Sequence, residues 1–143
     1  MRSYLVVANQ TLDSPELAEA IGQRVAKGPA TFHLVVPATP ISRGFTWDED
    51  EARAAATERL TEAIDRFRAA GATVSGEIGT TDPVQAAQDA LREREVDEII
   101  LSTLPPGISR WLGQDAPTRL KGSVSVPVAV VTSQHQRESA PQR

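Results

Sequence analysis

Short apolar, β-branched runs alternate along this chain with longer segments whose apolar residues recur every three or four positions. That alternation constrains the fold more than any single motif. Tyr4–Ala8, Thr31–Val36, Asp97–Thr103 and Val126–Thr132 are strand-like runs, and Thr73–Ile78 alternates in the manner of an edge strand. Helical patterns separate them, giving the order β-α-β-α-β-α-β-α-β. Such an order implies an α/β fold: an open parallel sheet with helices on both faces and right-handed crossovers. At 143 residues, with no internal repeat or linker, the chain reads as a single domain over residues 1–132. The polar stretch 133–143 is expected to be a disordered tail.

The helix boundaries are chemically marked. Ser14 is a candidate N-cap with Pro15 at the first helical position, ahead of a stripe of Leu17, Ala20, Ile21 and Val25 that Gly28-Pro29 stops. The longest helix is expected over about Asp48–Ala70, with Ala52, Ala56, Leu60, Ile64 and Phe67 facing inward. Its acidic start, Asp48–Glu51, suits the positive end of a helix dipole better than a metal site. Asp82, Pro83 and Gln85 predict an N-cap, an N1 proline and a capping box, with Val84, Ala87 and Leu91 inward. Pro117 is expected to interrupt the fourth helical segment, leaving two short turns or one kinked helix.

Composition excludes several functions. The net charge is −4, and no basic block exists to neutralise phosphates, so no nucleic-acid partner is expected. There is no cysteine, which rules out disulfides and thiol chemistry. The two histidines, His33 and His135, are far apart, and no metal site is expected. No apolar run approaches the roughly 20 residues of a membrane span and no signal peptide is recognisable, so the expected location is cytoplasmic, without a membrane partner.

Small molecules bind beyond the carboxyl ends of the strands in open parallel sheets. Here that region gathers Ala8 and Asn9 after the first strand, Val36 at the end of the second, and Ser102, Thr103, Gly107, Ser109, Arg110 and Gly113 around the turn after the fourth. These are the candidate ligand-binding residues. Ser109 is either a plain helix cap beside a solvated Arg110, or part of an anion site in which Arg110 reaches a phosphate. Trp111 and Leu112 are expected to pack the helix on the sheet. The loop Pro37–Trp47, with Ser42, Arg43 and Trp47, is either a cover for this cleft or a surface loop without a ligand.

A Walker loop, a dinucleotide fingerprint and a nucleophile elbow are all absent. His33 falls inside a strand, which favours a core or flank histidine over a catalytic base. No catalytic residue is assigned.

The order and spacing of the elements resemble the universal stress protein family. Gly79-Thr80-Thr81-Asp82-Pro83, Val96–Leu101 and Val126–Val131 resemble that family's third-helix start, fourth strand and last strand. The resemblance spans about residues 3–132 and implies five parallel strands in the order 3-2-1-4-5. It also implies a regulatory protein and a possible ATP or AMP ligand. The family's nucleotide-binding members carry glycines spaced Gly-x2-Gly-x9-Gly followed by Ser or Thr after the fourth strand. Counting from Gly107 puts Arg110 and Leu120 at the next two glycine positions. Gly113 is the better match for the last one, and Gln114 follows it. Leu104-Pro105-Pro106 lacks two backbone N–H donors there, and Asn9 stands where the family often has aspartate.

Three readings compete. The first is a universal-stress-like regulatory protein with weak or lost ATP binding, or one using a non-standard phosphate loop. The second is an interaction module without a ligand; the family resemblance implies a homodimer through the last strand, Pro127 to Thr132. The third is an enzyme, and the loops supply no acid–base pair, metal cluster or activated nucleophile for it.

Overall fold

In a computed structural model describing residues 1–38, 49–106 and 109–133, the chain forms one parallel sheet flanked by helices. The elements are β1 (Arg2–Val7), α1 (Pro15–Ala26), β2 (Ala30–Pro37), α2 (Glu49–Ala69) and β3 (Thr73–Gly79). They continue with α3 (Pro83–Leu91), β4 (Glu98–Thr103), α4 (Arg110–Gly113), α5 (Ala116–Ser123) and β5 (Val128–Thr132). The five strands are all parallel, as the alternation predicts, and lie in the order β3-β2-β1-β4-β5 that the family resemblance implies.

Strand alternation splits the core in two. Val6, Ala8, Phe32, Leu34 and Ile100 point to one face and pack against Leu17 and Ile21 of α1 and Ala56, Leu60, Ala63 and Phe67 of α2. Leu5, Val7, Val35, Ile99 and Leu101 point to the other and meet Ala86, Ala87 and Ala90 of α3, Trp111 of α4 and Leu120 of α5. Central strands buried on both faces account for the unbroken apolar runs that the sequence shows. Tyr4 stacks on Phe32 with ring centroids 5.0 Å apart. Arg24 of α1 reaches over the Tyr4 ring and makes a fork to Glu98, Nε to Oε1 at 3.0 Å and Nη2 to Oε2 at 2.9 Å.

Several helix expectations are refined. Ser14 Oγ caps α1 by accepting from Leu17 N at 3.1 Å. In α2 the fully buried positions are Ala56, Leu60, Ala63 and Phe67, with Ala52 and Ile64 half-buried at the border. Asp82 caps α3, while the Gln85 amide donates to Asp89 Oδ1 at 2.8 Å, turned along the helix and away from the expected capping box. Ala86 and Ala90 complete the inner face of α3, with Leu91 half-buried. Pro117 lies in the first turn of α5, where it starts a helix. The break before it falls at Asp115, whose left-handed φ of 59° separates α4 from α5.

Two glycines in β3 let helices close on the sheet. A Cβ at Gly79 would come within 2.8 Å of Ala86 Cβ, and one at Gly76 within 2.5 Å of Leu60 Cδ1. The acidic residue Asp48, the loop positions Ser42, Arg43 and Trp47, and His135 in the tail lie outside the described residues.

Candidate functional site

The carboxyl ends of β1, β2 and β4 lie side by side, because β1 is flanked by β2 and β4. Ala8 continues the ladder past β1, its N–H donating to Val35 O at 3.2 Å. Asn9 follows, is buried, and is committed at both ends of its amide. Its Nδ2 donates to Pro37 O at 2.7 Å, and its Oδ1 accepts from Arg59 Nη1 of α2 at 2.7 Å. One step on, the Thr11 and Ser102 hydroxyls share a hydrogen bond of 2.6 Å that ties the β1–α1 turn to β4. Arg66 of α2 donates to Leu12 O in the same turn. The carboxyl end of the sheet is therefore stitched together from three strands and one helix.

Ala8, Asn9, Val36, Ser102 and Thr103 are brought together here, and all are buried. Ser109 is buried too, and works as a cap: its Oγ accepts from Leu112 N at 3.0 Å, and its own N–H donates to Pro105 O at 2.9 Å. Trp111 packs into the core as expected, and Leu112 is half-buried. Gly113 is exposed, and a Cβ there would meet nothing within 4 Å. Gly107 and the Arg110 side chain lie outside the described residues.

Two hydroxyls stand out. Thr103 Oγ1 and Ser133 Oγ are buried without a hydrogen-bond partner among the described residues; Thr103 is in register with Thr132, so Ser133 is one residue further along and alternation turns its side chain to the other face. A buried hydroxyl left unpaired costs about 1–3 kcal/mol, so Thr103 at the carboxyl end of β4 is a position where an added polar partner would be favourable.

Phosphate binding has little backbone to work with. α4 has four residues, too few for a sizeable helix dipole, and Pro105 and Pro106 bring no N–H. His33 is not at this end of the sheet; it lies mid-strand, opposite Leu5 and Ser75. Among the described residues no group of three or more His, Asp or Glu side chains is placed to hold a metal. No described helix is long and apolar enough to cross a membrane.

Arg59 and Thr11 are the participants that sequence reasoning missed. Arg59 carried a signal: it lies three residues after Ala56 and one before Leu60, on the flank of the buried stripe of α2. A cation there has to snorkel or find a partner. Thr11 carried none beyond being polar after a strand.

No protein-family model and no curated protein matches the chain. Solved structures do. A universal stress protein family member from Burkholderia pseudomallei superposes with a TM-score of 0.63 at 17% identity, over 90% of this chain and 94% of that one. A universal stress protein in complex with cAMP gives 0.62 at 20% identity, over 93% and 98%. The universal stress protein from Archaeoglobus fulgidus in complex with dAMP gives 0.59 at 20% identity, over 92% and 98%. With its single sheet in the order β3-β2-β1-β4-β5 and helices on both faces, the chain has the universal stress protein fold.

Proposed function

We propose that the chain is a regulatory protein of the universal stress type, acting in the cytoplasm, that binds an adenine mononucleotide weakly at the carboxyl ends of β1 and β4. The triphosphate is disfavoured. The unpaired hydroxyl of Thr103 supports this reading, as a buried polar group at the carboxyl end of β4, the end at which open parallel sheets take ligands. Likeness to solved structures in complex with cAMP and dAMP supports the choice of a mononucleotide. The prolines after Leu104 and the four-residue α4 argue against a cradle for three phosphates. Calorimetric titration of AMP into the protein tests the site. Thr103→Val should weaken AMP roughly tenfold, the loss of about one hydrogen bond's 1.4 kcal/mol. Unchanged AMP affinity in that variant would place the nucleotide elsewhere.

A second reading, compatible with the first, is a homodimer through β5. This strand is the sheet edge among the described residues, and Val128, Val130 and Val131 on it are half-buried. Light scattering at tens of micromolar tests it, and a monomeric mass would end it.

A further inference from the structure

The opposite flank of the sheet carries an array that the nucleotide reading does not use. His33 sits mid-way along β2, and its side chain is 9% exposed. Its Nδ1 lies 2.8 Å from Ser75 Oγ, and its Nε2 lies 2.8 Å from Glu77 Oε2. Ser75 and Glu77 are two apart on β3 and so project to the same face. β3 is the edge strand, and both side chains are open to solvent.

The tautomer follows from the partners. With the imidazole neutral, a carboxylate acceptor puts the hydrogen on Nε2, and the lone pair of Nδ1 then faces the Ser75 hydroxyl. A serine hydroxyl against an imidazole lone pair, with the imidazole oriented by a carboxylate, is the logic of an activated nucleophile. Relative to the serine-protease arrangement, the two ring nitrogens have exchanged parts. The array opens on a cleft of about 320 Å³ lined by Ser3, Thr31, His33, Thr73, Ser75 and Arg94. Arg94, on the wall of the same cleft next to Glu95, has its Nε buried without a hydrogen-bond partner among the described residues.

We propose that Ser75, His33 and Glu77 form a nucleophilic-serine centre for short-chain esters. Ser75 Oγ attacks the ester carbonyl carbon and passes its proton to His33 Nδ1, while Glu77 holds the imidazolium through Nε2–H. The tetrahedral adduct then collapses. The C–O bond to the alcohol breaks, His33 returns the proton to the leaving alkoxide, and an acyl-Ser75 remains. Water repeats the sequence, with His33 taking its proton and Ser75 Oγ leaving, to give the carboxylic acid and free serine. Ser75 and His33 are the catalytic residues, and Glu77 is a positioning residue.

The test is covalent labelling of the full chain with a fluorophosphonate, located by peptide mass spectrometry, beside turnover of p-nitrophenyl acetate. The adduct should fall on Ser75 and disappear in Ser75→Ala, an exposed edge position that leaves the fold in place. Glu77→Gln, also exposed, should lower kcat about tenfold with KM within twofold and the thermal midpoint unchanged. Adduct on Ser75 no greater than on other serines, or a kcat indifferent to Ser75→Ala, would overturn the proposal.

Discussion

Arg59 of α2 donates to Asn9 Oδ1 at 2.7 Å, while Asn9 Nδ2 donates to Pro37 O at 2.7 Å. One buried amide thus locks the ends of two strands to a helix. Asn9→Ala removes both bonds and leaves the Pro37 carbonyl and the Arg59 guanidinium without that partner, at a cost of about 1–3 kcal/mol. Arg59→Ala removes one. Urea denaturation of both single variants and the double should show coupling, with the double less destabilised than the sum. Strict additivity would mean that the contact contributes nothing.

Thr103 should show a trade-off between stability and binding. Its hydroxyl is buried without a partner among the described residues. Thr103→Val keeps the shape and removes the desolvation penalty, so the free protein should gain about 1 kcal/mol, read as a higher urea midpoint with the slope unchanged. If a nucleotide binds at this site, the same change should weaken its binding. A loss of stability would show that the hydroxyl is already satisfied.

Gly79 admits α3 to the sheet. The Cβ of Gly79→Ala would press on Ala86 Cβ at 2.8 Å and Val35 Cγ1 at 3.1 Å, both inside the packed core. Overpacking of this kind costs about 1–3 kcal/mol. By contrast, Gly113→Ala meets nothing within 4 Å and should leave thermal stability unaltered or slightly raised.

Val130 lies in register with Leu101 on the edge strand β5. If copies pair through this edge, Val130→Lys puts a charge into an apolar interface and shifts the population to monomer. Sedimentation at several concentrations reads the change. A dimer that survives the substitution would move the interface elsewhere.

The architecture was legible because each segment reports its own period. Val6, Leu34 and Ile100 sit in unbroken apolar runs because central parallel strands are buried twice. The caps Ser14 and Asp82 were readable from local chemistry alone, each followed by proline. What failed was whatever depends on partners remote in sequence. Asn9 was visible as a residue after the first strand, but its bond to Arg59 crosses 50 positions. His33 read as a core or flank histidine; its ring is buried, yet only the β2–β3 register sets Ser75 and Glu77 against its two nitrogens. Pro117 read as an interruption because the turn at Asp115 has no sequence signal as strong as a glycine.

The proposed site takes a mononucleotide and lacks a cradle for a triphosphate. Two lost phosphate contacts at about 1–3 kcal/mol each weaken a ligand by on the order of a hundredfold. Titrating the same preparation with AMP and then ATP measures this directly. The account predicts measurable AMP binding, with ATP weaker or undetectable. Tight ATP, with its phosphates seated on the backbone between Ser102 and Gly107, would contradict it.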